Sequence, residues 1–156
     1  MTAVEDRFWS KIDASDGCWL WTGSLTHNGY GRFKVDGKMV RAHRFAYQMM
    51  IGDIPEGMEL DHRHTCPKRC VNPEHLRLVT HKRNQENRSG AMRNSSTGIQ
   101  GVYWDKRNSC WHARVGHHGK RVHVGRFLTS EEAEAAVVAK RLELFTHNDA
   151  DRLVTV

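Results

Sequence analysis

Cys66, Cys70 and His75 fall in one proline-containing stretch, CPKRCVNPEH, at the spacing C-x3-C-x4-H. Two thiols and an imidazole so close in a polar loop are the donors of an incomplete structural zinc site. A tetrahedral ion needs a fourth. Cys18, which opens the stretch CWLWTG, is preferred, because thiolate binds zinc more tightly than a second imidazole in a small loop. His64 is the local rival. The plainer reading of Cys18 is a packed core thiol, since free cysteine is among the most buried residue types. Cys110, in NSCWHA, has no near partner in sequence and reads as a packed or surface thiol.

With the soft donors set aside, Asp61, His62 and Asn84 remain. A carboxylate and an amide oxygen are hard ligands, suited to Mg²⁺ or Mn²⁺. A neutral imidazole beside such an ion is suited to taking a proton from water. The ion would counter charge developing on a phosphate and its leaving oxygen. The donors therefore divide into a soft set that pins a loop and a hard set that does chemistry. An adjacent Asp-His pair is common by chance; Asn84 and the basic residues around it count against chance here. Arg41 or Arg44 suits a transition-state phosphate, although Arg44 reads equally well as a solvated helix residue.

The elements must bring these groups together. VEDRFWSKID reads as a helix with Phe8, Trp9 and Ile12 on one side. CWLWTG reads as a strand. Asp36-Gly37 between alternating runs predicts a hairpin, and AHRFAYQMMIG a helix stopped by Gly52 and Pro55. MELDH and RLV are short strands flanking the cysteine loop, and THKRNQENR is a helix capped by Thr80. Strand, loop, strand, helix would gather Asp61, His62 and Asn84. SGAMRNSSTG, rich in Ser and Gly, reads as a linker. Three strands follow, GVYWDK, WHARVG and RVHVGRF, with turns at Asn108-Ser109 and His118-Gly119. The helix TSEEAEAAVVAKRLELF, capped by Thr129 or Ser130, comes last.

The chain has 156 residues and a formal charge of +6, which suits one compact domain or two very small ones and a polyanionic partner. The charge is focused. Residues 63–93 hold eight Lys and Arg against two Glu, and residues 101–126 six against one Asp, whereas residues 131–151 hold six acidic against two basic. A solvated face would mix the signs, so the focus points to nucleic acid. No apolar run reaches the roughly 18 residues of a membrane span, and the N-terminus lacks a secretory signal. An intracellular location, in the cytoplasm or nucleoid of a bacterial or phage-infected cell, is expected, where cysteines are rarely disulfides.

LDH, CVNPEHL and VTHKRN, together with GCWLWTG and AHRFAY, resemble the HNH endonuclease family in its phage and homing branch. They are also similar to the His-Cys box homing endonucleases, which join a ββα-metal active site to a Cys-Cys-Cys-His zinc. The likeness covers about residues 7–90. It implies a general base at His62 and cation ligands at Asp61 and Asn84. His75 stands at the central position of the HNH pattern but is carried over as a zinc ligand. Asn72 is then a turn residue in NPEH, or else the central Asn. GVYWDKRNSCWHARV, KRVHVGRF and TSEEAEAA resemble the APETALA2-type DNA-binding domain over about residues 98–146. That resemblance implies three antiparallel strands backed by one helix, with the sheet laid in the major groove. The plant domains carry more arginine in the first strand, so their base preference does not transfer.

The expected whole is α+β: an HNH module over 1–88 with structural zinc, a linker over 89–98, an APETALA2-like module over 99–148 and a tail over 149–156. The expected activity is metal-dependent hydrolysis of duplex DNA by a monomer or homodimer, using Mg²⁺ or Mn²⁺. Lys82, Arg83, Arg88, Arg93, Lys106, Arg107, Arg114, Lys120, Arg121 and Arg126 are expected to meet DNA. Trp104 either packs or contacts a base or sugar, and Trp111 shares the phase of the core residue Ala113. The rival readings are a non-cleaving DNA-binding regulator on the same scaffold and a protein directed at RNA.

Overall fold

Thr2 opens the first helix through a reciprocal cap. Its hydroxyl accepts from the Glu5 amide, and the Glu5 carboxylate accepts from the Thr2 amide. The structure is a computed structural model and describes residues 2–63, 65–88, 90, 91 and 95–153. The chain divides into two compact units, Met1–His81 and Lys82–Val156.

In the first unit α1 (Ala3–Trp9) is followed by β1 (Ile12–Asp16) and β2 (Cys18–Trp21), which pair antiparallel. Ile12 and Asp13, expected in the helix, lie in β1. Ser10 ends the helix, and the Thr22 amide donates to the Lys11 carbonyl at 2.9 Å, drawing the chain into the sheet. β3 (Arg32–Val35) and β4 (Lys38–Arg41) form the hairpin expected at Asp36-Gly37, where both residues adopt positive φ. α2 (Ala42–Met50) buries Ala42, His43, Ala46 and Tyr47, the spacing of one helix face.

The core gathers Phe8, Trp21, Phe33, Ala42, Ala46 and Val71, with the Phe8 ring 5.0–5.6 Å from those of Trp9, Trp21, Phe33 and Phe45. Gly31 has to be glycine: a Cβ there would lie 2.8 Å from both Trp21 Cγ and Ala42 Cβ. β5 (Met58–His62) pairs antiparallel with β6 (Leu76–Thr80), setting Asp61 opposite Arg77 and His62 opposite Leu76. The loop between them ends in a 3₁₀ turn, Pro73–His75, capped by the Asn72 side chain. β6 runs directly into α3 (His81–Glu86).

The second unit contains β7 (Val102–Asp105), β8 (Cys110–His117) and β9 (Lys120–Phe127) in the order β7-β8-β9, all antiparallel. α4 (Ser130–Leu144), capped by Thr129 with Glu132, covers one sheet face, and Val102, Ala113, Val115, Ala133, Val137 and Phe145 are buried there. A fifth helix, α5 (Asp149–Leu153), forms where a tail was expected. Asp151 on it accepts from the buried Arg141 guanidinium at 2.6 and 2.9 Å.

The division at His81/Lys82 precedes the expected linker over 89–98. Glu86, only 5 % exposed, explains why. Its Oε2 accepts from the Thr146 amide, the Thr146 hydroxyl and the His147 amide at 3.1–3.3 Å, and the Asn87 side chain accepts from the Asp149 amide at 3.1 Å. Thr97 donates to the Val102 carbonyl at 2.8 Å and Ile99 packs on the core, so the chain has joined the sheet unit before residue 98 ends the expected linker.

Candidate metal and nuclease site

Four donors converge beside β2. Cys18 Sγ lies 3.7 Å from Cys66 Sγ, and His75 Nδ1 lies 3.5, 3.3 and 3.7 Å from the sulfurs of Cys18, Cys66 and Cys70. A zinc ion with tetrahedral bonds to sulfur and nitrogen needs edges of about 3.8 Å between sulfurs and about 3.6 Å from sulfur to nitrogen. The cluster already has those edges, so it could hold such an ion. Local turns aim the ligands: the Cys66 amide donates to Arg63 and the Cys70 amide to Pro67, each at 2.8 Å. The loop is also stitched to β2, with the Trp21 amide donating to Arg69 and the Val71 amide to Trp19. Burial and the neighbouring Cys18 and Cys70 thiols push Cys66 up to about 12. Negative sulfur is costly there without a cation. His64 lies outside the described residues.

Cys70 links this cluster to the second set. While its sulfur faces His75, its carbonyl oxygen accepts from His62 Nε2 at 2.9 Å. A carbonyl can only accept, so Nε2 carries the proton and Nδ1 of the neutral ring keeps its lone pair. His62 is 9 % exposed. Burial pulls it below the ordinary imidazole range, the Cys70 hydrogen bond and the Asp61 charge oppose that, and Lys68 adds to it. The net direction is downward, which keeps the ring neutral and able to accept a proton. Asp61 is held by its cross-strand neighbour: Arg77 donates to Oδ2 through Nη2 at 3.0 Å and Nε at 3.3 Å.

Sequence reasoning missed the rings around His62. His43 and Tyr30 lie 5.1 and 5.9 Å from it, centroid to centroid. His43 Nδ1 is buried without a hydrogen-bond partner. Burial, His62, Arg41 and Arg44 bring the group down to about 3. Its signal was available, since Ala42, His43, Ala46 and Tyr47 trace the buried face of α2. Tyr30, in the β2–β3 connection, gave none. Arg41 Cζ and Lys68 Nζ sit 5.0 and 5.7 Å from the Tyr30 ring centre, flanking it with positive charge. Arg41 is thus brought beside this ring cluster, whereas Arg44 is an exposed α2 residue.

Asn84 is on α3 and belongs to the second unit, while Asp61 and His62 belong to the first. Lys82, Arg83 and Arg88 are exposed in and just after α3, Lys82 forming an ion pair with Glu86 at 3.3 Å. Arg93 lies outside the described residues. Strand alternation places Tyr103, His112 and Arg114 on the sheet face turned from α4, with the cross-strand residues His123, Arg126 and Arg121 on the same side. The Arg114 guanidinium lies 4.7 Å above the Tyr103 ring. Lys106, Arg107 and Lys120 are exposed at the turns. Trp104 falls on the Val102 side of β7, half exposed and edge-on to Trp111 at 5.2 Å, which keeps it off the open face.

Against this geometry the comparisons with known proteins can be set. Residues 40–86 match the family model described as HNH endonuclease. The HNH match runs from the end of β4 through α2, β5, the cysteine loop and β6 to the last residue of α3. The chain is similar to Protein 7.7 of Escherichia phage T7, at 44% identity over 69 residues, covering 44% of this chain and 52% of that protein. It is also similar to Protein 2.8 of the same phage, at 38% identity over 72 residues, covering 45% of this chain and 48% of that protein. The chain thus spans about half the length of the curated relatives it matches. No solved structure matches. No helix among the described residues is long and apolar enough to cross a membrane.

Proposed function

We propose that the chain is a metal-dependent DNA endonuclease of the HNH type. The observation that carries this reading is the oriented imidazole at His62. It is neutral, fixed through Nε2 by the Cys70 carbonyl, and centred in the segment that matches HNH endonuclease. His62 Nδ1 takes a proton from water, the resulting hydroxide attacks phosphorus, and the bond to the leaving oxygen breaks. A Mg²⁺ or Mn²⁺ ion, when bound, supplies stabilisation of charge on the phosphate and leaving oxygens. Asp61 would hold it through its carboxylate, a hard oxygen donor suited to such an ion. Arg41 and Lys68 add positive charge for the phosphate. Cys18, Cys66, Cys70 and His75 would hold zinc, which would fix the loop and, through the Cys70 carbonyl, the base.

The second unit grips duplex DNA in an APETALA2-like manner. Its support is the three-stranded sheet backed by α4, with Arg114, Arg121 and Arg126 on the open face and Lys106, Arg107 and Lys120 at the turns. One active site cuts one strand, so a monomer nicks and a homodimer breaks both. Incubating supercoiled plasmid with the protein and Mg²⁺ or Mn²⁺ tests the reading. Conversion to the nicked form, lost in His62→Ala, is the expected result. Intact plasmid at every protein concentration, with gel shifts retained, would make the chain a DNA-binding regulator instead.

A further inference from the structure

The far end of the β7–β8 hairpin carries a second group of mixed donors. Asp105 is paired with Cys110 and Tyr103 with His112, all on the sheet face turned from α4. One oxygen of Asp105, the sulfur of Cys110 and one ring nitrogen of His112 lie within 4.8 Å of one another. His112 is 7 % exposed. Its Nδ1 lies 3.2 Å from the Tyr103 hydroxyl. Its Nε2 is 3.2 Å from Asp105 Oδ2 but out of line for a hydrogen bond, so this buried nitrogen has no hydrogen-bond partner.

Asp105 has a simpler employment. Its carboxylate accepts from the Arg107 amide at 2.9 Å, the Asn108 amide at 3.3 Å and the Asn108 side chain at 2.7 Å, which closes the turn. That accounts for the carboxylate and leaves the buried Nε2 of His112 without a hydrogen-bond partner. A buried ring nitrogen beside a carboxylate oxygen, without a hydrogen-bond partner and on a residue grouped with a thiol, has the surroundings of a metal ligand. The Tyr103 hydroxyl on the opposite ring nitrogen is the outer oxygen that fixes the tautomer of such a ligand, and the Asn108 donors fix the carboxylate in the same way.

We propose that Asp105, Cys110 and His112 form a second zinc site, with the fourth position filled by water. One sulfur, one nitrogen and one oxygen suit a borderline divalent ion. Binding releases the Cys110 thiol proton to solvent and forms one metal–sulfur bond. The ion ties the two ends of the turn that carries Lys106 and Arg107, on the face where the sheet is basic. The site stands apart from the nuclease reading and from the Cys18 cluster.

The test counts ions in the full chain, purified without chelator and equilibrated with zinc, then repeated with ¹¹³Cd observed by NMR. Cadmium shifts downfield as thiolates are added, so a three-sulfur site and a one-sulfur site give separate lines. Two zinc ions per chain and two cadmium lines are expected. Cys110→Ala and His112→Gln should each lose one ion and the upfield line only. A single line of the one-sulfur type would uphold this site and strike the Cys18 cluster instead. A single line of the three-sulfur type, or two ions retained in Cys110→Ala, overturns the proposal.

Discussion

The two donor groups are assembled in opposite ways. The Cys18 cluster joins residues up to 57 positions apart, and the loop it closes has few buried apolar side chains of its own besides Val71. The Asp105 group comes from eight consecutive positions of one hairpin, placed by strand register and backed by a core of Val102, Ala113, Val115 and Val137. In the first case four donor-to-donor distances of tetrahedral length span distant segments, so the fold would lean on an ion held there. In the second the sheet holds the donors, so the ion would lean on the fold. Binding energy counts as folding energy only where the site does not preexist in the chain.

The largest effect that could break this contrast is Cys70→Ser. It should remove the metal from the first unit and abolish slow amide exchange in β2 and β5, while β7–β9 keep theirs; protection retained in β5 would mean the ion is dispensable. Next is His62→Ala, which should lower the cleavage rate by roughly 10²- to 10⁴-fold with metal content and DNA affinity unchanged. Loss of both together would make His62 a structural residue. A smaller change is expected from Arg121→Ala. It should weaken duplex binding and reduce the salt slope by about 1, leaving cleavage at saturating protein intact. An unchanged slope would take the open sheet face out of DNA binding. The smallest effect sharpens the second unit's independence. Thr129→Ala removes the α4 cap and should cost about 1 kcal/mol, read as a fall of several degrees in the melting of β7–β9 alone.

Local chemistry was legible in the sequence. Asp36-Gly37 can take two successive positive φ values, and Thr129 with Glu132 satisfies the orphan amides of α4, so these features follow from the residues themselves. The cysteine loop was readable because sulfur and imidazole have little other reason to crowd a polar segment. What escaped depends on distant groups. Ile12 was drawn into β1 by pairing with Trp21, and Tyr30 reaches His62 only because Gly31 lets Trp21 and Ala42 close up. α5 carries Asp151, which accepts from the buried Arg141 ten residues earlier, a pairing that the sequence alone does not announce. The unit boundary escaped because Glu86 looks like one more charge on a solvated helix, and its partners lie 60 and 61 residues further on.

That grip on Glu86 sets an order in time. A ribosome makes α3 well before Thr146 and His147, and at about 5–20 residues per second the 60-residue separation lasts roughly 3–12 seconds. During that interval the helix bearing Asn84 is without the three donors that seat its buried carboxylate. The nascent chain can complete its cysteine loop first, and α3 gains the donors that seat its carboxylate only when synthesis has passed residue 147.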